Sequence, residues 1–300
     1  MPNPSFFCPL PAYGLLAIES SDNIKFLQGQ FTCDVREVSD SQWRYGALCT
    51  PKGRVIGNFL LLQAAPNRHL LRLPVSVMAA VAGTLKKFAP FYKGSVSDIS
   101  PAFRLLGVTG PDAPAALATR FAVLPKDKQG CTLSDGSFLL RLDEQRYECW
   151  IQADSPWHPS LPQETPATWD LLTIRCGLGE VRGPTVEEWT PHMLNLQAVG
   201  AVNFKKGCYT GQEIVARTEY LGHQKRAMYR IEGSGPTPPE AAPVLDGEQS
   251  AGEIVMASPS DSGPGWEALA VIGASHLDKP LTCLGQPVQR LDLPYTVERR

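Results

Sequence analysis

The pattern of the chain changes near residue 222, and this change constrains the fold more than any other feature of the sequence. Before it, strand-like runs alternate with segments of helical period, as in residues 13–18 followed by residues 24–28. After it, short strand-like runs such as residues 252–256 and 268–272 are separated by turns rich in Gly and Pro. Such short strands are typical of a small β-barrel or sandwich. The sequence therefore predicts an α+β protein whose C-terminal quarter is all-β.

A chain of 300 residues, 43% of them hydrophobic and 19% charged, is long enough for two or three globular domains. Strand and helix patterns restart near residue 98, and the helical patterns end near residue 222. We therefore predict three parts: an N-terminal α+β part at residues 1–98, a second α+β part at 99–222, and a C-terminal β-barrel at 223–300.

The formal net charge of −2 gives no overall basic field that would attract nucleic acid or anionic lipid. An RNA-binding module remains an alternative, because local basic residues could still contact RNA. These residues are Lys52, Arg54, Lys205, Lys206 and Lys225. No apolar run approaches the ~20 residues of a membrane span, and the N-terminus does not resemble a signal peptide. We expect a cytoplasmic protein without a membrane partner.

Eight cysteines are scattered along the chain without a C-x-x-C pair or a His spacing that would complete a zinc site. Thiols without an export signal favour a reducing compartment. No metal site is predicted, and five of the eight are expected in the core because their surroundings are apolar or strand-like.

Cys208 has the most reactive surroundings of the eight. Ile214, Val215, Thr218 and Leu221 follow a 3.6-residue period, which predicts a short helix with those residues on one side. Thr210 and Glu213 have the spacing of a capping box at its start. Cys208 would then lie just before a helix N-terminus and beside Lys205 and Lys206, where backbone N–H groups and cations favour a thiolate.

A structural role for Cys208 is the alternative, since a lone cysteine between glycine and tyrosine is usually a small packed residue. Physical reasoning from the residues alone leaves both interpretations open.

The motif Lys206-Gly207-Cys208-Tyr209-x-Gly211-Gln212-Glu213 resembles the signature of the YgfZ-type folate-binding proteins, relatives of the glycine cleavage T protein (aminomethyltransferase). The resemblance extends to residues 26–30 with Thr32 and Asp34, to the predicted hairpin tip at residues 50–54, and to residues 190–196. It covers about residues 13–230.

The resemblance implies three domains around a central hole that holds tetrahydrofolate or a one-carbon derivative, with residues 1–98 contributing to folate binding. It also implies a role in assembling or repairing iron–sulfur clusters, with a link to tRNA modification, so that client proteins or assembly factors would be partners. Cys208 would be the acting thiol. The signature positions expected at the cofactor are Lys206, Tyr209, Gln212 and Glu213.

Weaker local matches add three residues to the implied folate site. Glu148 resembles the T-protein glutamate that faces the pterin, and a carboxylate can accept two hydrogen bonds from a pterin edge. Arg175 resembles an arginine after the corresponding helix, and Arg54 belongs to the hairpin tip. Their alternatives are the solvent face of a strand, a surface ion pair and a solvated turn, respectively.

One departure bears on enzymatic activity. T proteins carry an acidic pair in the strand after the hairpin tip, where this chain has Gly57 and Asn58. An amide cannot exchange a proton as a carboxylate does, so aminomethyl transfer of that kind is not expected. A tetrahydrofolate-dependent aminomethyl- or methyltransferase remains the alternative function.

Overall fold

The computed structural model describes residues 4–133, 135–222 and 224–297. Their contacts divide the chain into two compact units. Unit 1 comprises Met1–Gln28, Asp34–Tyr45 and Phe59–Pro166, and unit 2 comprises Gly29–Cys33, Gly46–Asn58 and Ala167–Arg300. The three parts expected from the sequence do not coincide with these two units, and the three-part division stays a prediction.

Five helices and sixteen strands lie in the described part of the chain. The helices are α1 (Asn23–Gln28), α2 (Val75–Phe88), α3 (Ala113–Ala118), α4 (Pro166–Arg175) and α5 (Gln212–Leu221). The strands are β1 (Phe6–Pro9), β2 (Tyr13–Glu19), β3 (Arg44–Cys49), β4 (Val55–Ala65), β5 (Arg68–Pro74), β6 (Ser95–Asp98), β7 (Phe103–Thr109), β8 (Gly130–Thr132), β9 (Phe138–Arg141), β10 (Arg146–Gln152), β11 (Arg226–Gly233), β12 (Pro243–Asp246), β13 (Gln249–Pro259), β14 (Trp266–Gly273), β15 (Leu281–Cys283) and β16 (Gln286–Leu291).

Unit 1 contains a five-stranded sheet of order β1-β7-β10-β9-β8. A second sheet has the order β3-β4-β5-β2-β6, and the division between the units falls within β3 and β4. Side chains of β10 alternate between two buried faces of the first sheet. Tyr147, Cys149 and Ile151 pack in one apolar cluster with Phe7 and residues of α3, while Glu148 and Trp150 occupy the opposite face.

Unit 2 contains a closed barrel of order β11-β14-β13-β12-β15-β16. Inward residues such as Ile231, Ile254 and Trp266 form its core. Closing the sheet on itself leaves no unpaired edge, which suits strands this short. The α+β class and the C-terminal β-barrel expected from the sequence are confirmed.

The segment after Thr190 is not helical. Residues 191–200 form successive turns, in which Leu196 N–H donates to Pro191 O and Asn195 adopts a left-handed backbone with φ 52°. A left-handed non-glycine residue cannot continue an α-helix. The strands that the sequence missed are only three or four residues long, too short for a period to show: β1, β6, β8, β12 and β15.

Candidate functional site

The segment that carries Cys208, residues 205–211, lies in unit 2 and is called the thiol loop below. It rests on another part of the same unit, Gly29–Cys33. The N–H of Thr210 donates to the first carbonyl of that segment at 3.1 Å, and the N–H of Asn203 donates to Thr32 O at 2.9 Å. These bonds bring the early sequence motif and the signature together.

The side chain of Lys206 holds the thiol loop in place. Its side chain is buried, and its ammonium group donates to the carbonyl oxygens of Phe31 and of Cys33, the latter at 2.8 Å. The same nitrogen lies 5.0 Å from the ring centroid of Tyr209, within cation–π range. A buried ammonium needs such partners to offset its desolvation. Its contact with a cofactor stays a prediction, since these bonds are with the protein itself.

The hairpin tip packs against the end of the thiol loop. Gly211 has φ 85°, and a Cβ built there would lie 2.5 Å from Thr50 O. Gly53 has φ 70°, and a Cβ built there would lie 3.0 Å from Ile214 Cβ in the first turn of α5. Both positions therefore need glycine, for the left-handed backbone and for the close approach. The tip motif and the signature motif meet through these two glycines.

The predicted capping box of Thr210 and Glu213 is wrong. Helix α5 begins at Gln212, its N-cap is Gly211, and no side chain caps it. The Thr210 hydroxyl is directed to Gly29 O at 3.5 Å instead. Gln212 closes the turn before the helix, because its Oε1 accepts from the N–H of Tyr209 at 3.2 Å.

The predicted apolar side of α5 is also only partly right. Val215 is buried, but Ile214 is 38% exposed and Leu221 is 83% exposed. The helix instead turns its Val215 and Glu219 side inward, where Glu219 Oε2 lies 3.1 Å from His192 Nε2. Val215 and Glu219 are four residues apart and share one face of the helix. Leu221 lies two residues after Glu219, on the opposite face, and therefore points outward.

Cys208 is exposed, whereas the other seven cysteines, all in the described residues, are buried or half-buried. The expectation of five core cysteines is confirmed by Cys8, Cys33, Cys49, Cys149 and Cys283. Cys208 lies four residues before the first residue of α5. Its neighbour Gly207 has open space around it. Cys208 is therefore accessible to solvent, although its ionisation stays a prediction.

Tyr209 points the other way, into the protein. Its side chain is buried, and burial together with the neighbouring Cys49 raises the pKa of its phenol. Burial likewise raises the pKa of the Cys49 thiol to about 12. Both groups are therefore neutral at ordinary pH, and neither matches an anionic catalyst.

Glu148, in unit 1, is completely buried and already accepts hydrogen bonds from two side chains. Arg72 Nη2 and Nε donate to its two oxygens at 2.8 and 3.1 Å, and the indole N–H of Trp150 donates at 3.1 Å. The alternative of a solvent-facing strand residue is therefore wrong, because the second sheet face is also covered. A pterin contact for Glu148 stays a prediction.

Arg175 belongs to an ion-pair network in unit 2. Its guanidinium contacts Glu267 at 2.6 Å and Asp261 at 2.5 Å, and Arg230 shares Glu267 at 2.6 Å. Hydrogen bonds to these carboxylates raise the pKa of Arg175. The network joins the end of α4 to the barrel. Arg175 therefore has the ion-pair role that was named above as its alternative, and a folate contact stays a prediction.

The basic residues proposed for an RNA surface are not equally accessible. Arg54 donates through Nη1 to Glu188 O, and Lys206 is buried. Lys52, Lys205 and Lys225 are exposed. Only three of the five cations named for RNA contact are therefore exposed. Glu213, in the first turn of α5, is exposed and acidic.

Asn58 uses both ends of its amide to hold the backbone of unit 2. Its Nδ2 donates to Gly179 O at 2.9 Å, and its Oδ1 accepts from Val181 N–H at 2.9 Å. The side chain is buried. A carboxylate could make only the second bond, so this position is adapted to an amide and not to acid–base work.

The roles of two residues, Arg72 in unit 1 and Thr32 in unit 2, were not predicted from the sequence. Arg72 interrupts an apolar strand, and a charge at such a position signals a buried partner. Thr32 was noted only as part of a motif, yet its hydroxyl donates to Ala201 O at 2.6 Å and accepts from Ala47 N–H at 2.8 Å. No local pattern identifies such a bond, because its partners are distant in sequence.

Within residues 4–133, 135–222 and 224–297, no group of three or more His, Cys, Asp or Glu side chains is placed to hold a metal ion. In the same residues, no helix is both long and apolar enough to cross a bilayer.

The chain has the glycine cleavage T-protein fold. The crystal structure of glycine cleavage system aminomethyltransferase T from Bartonella henselae superimposes with a TM-score of 0.74 at 18% identity, covering 98% of this chain and 87% of that one. No protein-family model matches the chain.

Similarity to curated proteins identifies the family within this fold. The tRNA-modifying protein YgfZ of Cronobacter sakazakii is 33% identical over 268 residues, covering 85% of this chain and 80% of the relative. The protein of the same name from Vibrio vulnificus is 31% identical over 301 residues, covering 95% and 90%. The chain belongs to the YgfZ family, and the resemblance seen in its sequence is confirmed.

Proposed function

We propose that this chain is a folate-binding accessory protein that supports the assembly or repair of iron–sulfur proteins, and through them tRNA modification, with Cys208 as its acting thiol. Its relatives are named tRNA-modifying proteins, and its fold is that of an aminomethyltransferase. The folate, the iron–sulfur clients and the cytoplasmic location are parts of this proposal.

The observation that carries the proposal is the contrast between an exposed thiol and the buried residues that hold its loop. Cys208 is exposed, while Lys206 and Tyr209 of the same signature are buried and Gln212 closes the turn. Holding a reactive group on a fixed loop lowers the entropy lost when it meets a partner. A cysteine required only for packing would not be placed outside.

The chemistry open to Cys208 is that of a single accessible thiol: redox exchange, transient contact with a cluster, or one-carbon chemistry. Stable clusters need several cysteines, and one exposed thiol does not provide them. Asn58 lacks the proton chemistry of a carboxylate and is fully used by Gly179 and Val181. These bonds count against the transferase alternative.

Two roles follow for the signature residues at a folate site. Lys206, Tyr209 and Gln212 shape the thiol loop, and Glu213 is the exposed carboxylate that a pterin's N–H groups could reach. Arg54 and Arg175 belong to the proposed site as cations for an acidic folate tail. Bound tetrahydrofolate would supply one-carbon chemistry.

Replacing Cys208 tests the thiol. Cells that carry only the Cys208→Ala protein should lose cluster-enzyme activity under oxidative stress, while Cys131→Ala, which removes a half-buried thiol, should keep it. Full activity of Cys208→Ala, at protein levels equal to wild type, would refute the role of the thiol.

Titration with tetrahydrofolate tests the cofactor separately. The six tryptophans provide a fluorescence signal, and a saturable change is expected. A linear response up to millimolar ligand, confirmed by calorimetry, would refute folate binding.

A further inference from the structure

The end of helix α2 and the turn after it present a basic and aromatic surface in unit 1. This surface, called the Phe91 surface below, consists of Lys86, Lys87, Phe88, Phe91 and Lys93. All five side chains are exposed, that of Phe91 by 81% and that of Phe88 by 36%. Residues 83–94 contain these three lysines and no acidic residue. The surface is therefore locally positive, although the chain as a whole carries a formal charge of −2.

The turn that carries Phe91 is held in place by contacts on its inner side. Residues Ala89–Tyr92 form a single 3₁₀ turn. The ring of Tyr92 stacks on the buried ring of Phe26 in α1, with 5.1 Å between the ring centroids. The carbonyl oxygen of Tyr92 accepts a hydrogen bond from the Ser20 hydroxyl at 2.6 Å. Phe91 is therefore presented on a fixed backbone, which lowers the entropy lost on binding.

Exposed cations beside exposed rings match the chemistry of a polynucleotide strand. Ammonium groups neutralise phosphates, and every base has a flat face that can stack on an aromatic ring. In a duplex the bases are already stacked on one another, so only an unpaired strand leaves its bases free to stack on Phe91. The Phe91 surface therefore fits a single strand better than a double helix.

Two other kinds of partner fit the Phe91 surface less well. Even a whole myristoyl chain gives only marginal membrane binding, and one phenyl ring buries much less apolar surface than that chain. Interfaces between proteins are depleted in Lys, whereas all three cations of the Phe91 surface are lysines. A polynucleotide is therefore favoured over a lipid surface and over a protein partner.

We propose that the Phe91 surface binds a short unpaired stretch of RNA, with a base stacked on Phe91 and phosphates on the three lysines. The assignment to RNA and not to DNA rests on the proposed function in tRNA modification. The surface belongs to unit 1, whereas Cys208 belongs to unit 2. The proposal therefore gives the chain a direct contact with RNA that does not use its exposed thiol.

Fluorescence anisotropy of a short labelled oligouridine tests the role of the ring. Phe91→Ala should raise the Kd about tenfold, because base stacking on the ring is lost. Phe91→Leu, which is apolar but has no ring face, should bind as weakly as Phe91→Ala, whereas Phe91→Trp should bind at least as tightly as wild type. Leu284→Ala, at an exposed apolar residue of the barrel, is the control and should leave the Kd unchanged. Wild-type affinity of Phe91→Leu would overturn the proposal.

The salt dependence of binding tests the lysines of the Phe91 surface. Three phosphate contacts predict that the affinity for a single strand falls about 20-fold between 50 and 200 mM salt. Replacing all three lysines with Gln should remove most of that dependence. The control is the triple variant Lys52→Gln/Lys205→Gln/Lys225→Gln, which removes the same charge from other exposed positions and should keep the dependence. Equal losses in the two triple variants would show attraction by net charge alone and overturn the proposal.

Three further comparisons identify the partner and separate this inference from the proposed function. Oligouridine paired with oligoadenosine should bind more weakly than the single strand, and equal binding would overturn the proposal. Tighter binding of oligodeoxyuridine would overturn the assignment to RNA. Co-sedimentation with phosphatidylcholine–phosphatidylglycerol vesicles that requires Phe91, without binding of RNA, would identify a lipid surface instead. Cys208→Ala should bind oligouridine as wild type does, so a failure of the proposed thiol function would leave the RNA result intact.

Discussion

The ammonium group of Lys206 lies 2.8 Å from the carbonyl oxygen of Cys33, so the thiol loop is tied to a backbone segment 173 residues earlier in the chain. The bond explains how a loop bounded by glycines can hold an exposed cysteine in one place. It also gives a direct test of which signature residues stabilise the loop.

Lys206→Met should lower the free energy of unfolding by about 2 kcal/mol, because the carbonyl oxygens of Phe31 and Cys33 lose a charged donor. Chemical denaturation measures the change. Lys205→Met, at the exposed neighbouring position, should stay within about 0.5 kcal/mol of wild type. Equal effects of the two substitutions would contradict the assigned role of Lys206.

Gly211→Ala should cost about 2 kcal/mol or more, since the added Cβ meets Thr50 O at 2.5 Å in a left-handed backbone. Gly207→Ala is the matched control, because a Cβ at that position has open space. Thermal unfolding of both variants measures the difference. A stable Gly211→Ala protein would show that the hairpin tip does not pack against the thiol loop in solution.

His69 should make the protein less stable in mild acid. Burial lowers the pKa of this imidazole to about 4, against 6.5 in the unfolded chain. The native state therefore binds fewer protons than the unfolded state between these values, and stability falls as pH falls through that window. At pH 5 the loss from this group is about 2 kcal/mol relative to pH 7.

Urea unfolding at pH 7 and pH 5 isolates the contribution of His69. His69→Leu should show a pH dependence smaller than wild type by that amount, whereas His276→Gln, which alters a histidine on the barrel, serves as the control. An unchanged pH dependence in His69→Leu would mean that the imidazole reaches solvent.

Asn58→Asp should destabilise the protein by about 2 kcal/mol at pH 7, because a carboxylate cannot donate to Gly179 O and repels it. The loss relative to wild type should shrink at pH 4, where a protonated carboxyl group can donate again. Asn67→Asp, at an exposed position, is the control. A stable variant that also turns over methylene-tetrahydrofolate with an amine would support the transferase alternative.

Local patterns predicted the elements that are long or strongly periodic. Strand β2 and helix α1 match the patterns at residues 13–18 and 24–28, and the C-terminal barrel follows from its short strands and turns. The turns at residues 191–200 cannot be told from a helix by apolar spacing alone, because it is the left-handed backbone of Asn195 that interrupts the helix there. Positive φ at a non-glycine residue is set by distant packing, which a local pattern does not contain.

The candidate site was predictable in its members but not in their roles. The signature identified Cys208, Lys206 and Gln212, yet only their partners distinguish the exposed thiol from the residues that hold the loop. Arg72 was missed because its partner Glu148 lies 76 residues away, and spacing along the chain does not encode that pairing.

The bond from Lys206 to Phe31 spans 175 residues, and this separation has a consequence for biosynthesis. During translation the carbonyl groups of Phe31 and Cys33 are synthesised long before Lys206, which donates hydrogen bonds to them. Closing so long a loop is costly in entropy, and contacts of this kind form late in folding. We therefore expect the loop that holds Cys208 to become ordered only after most of the chain has been synthesised.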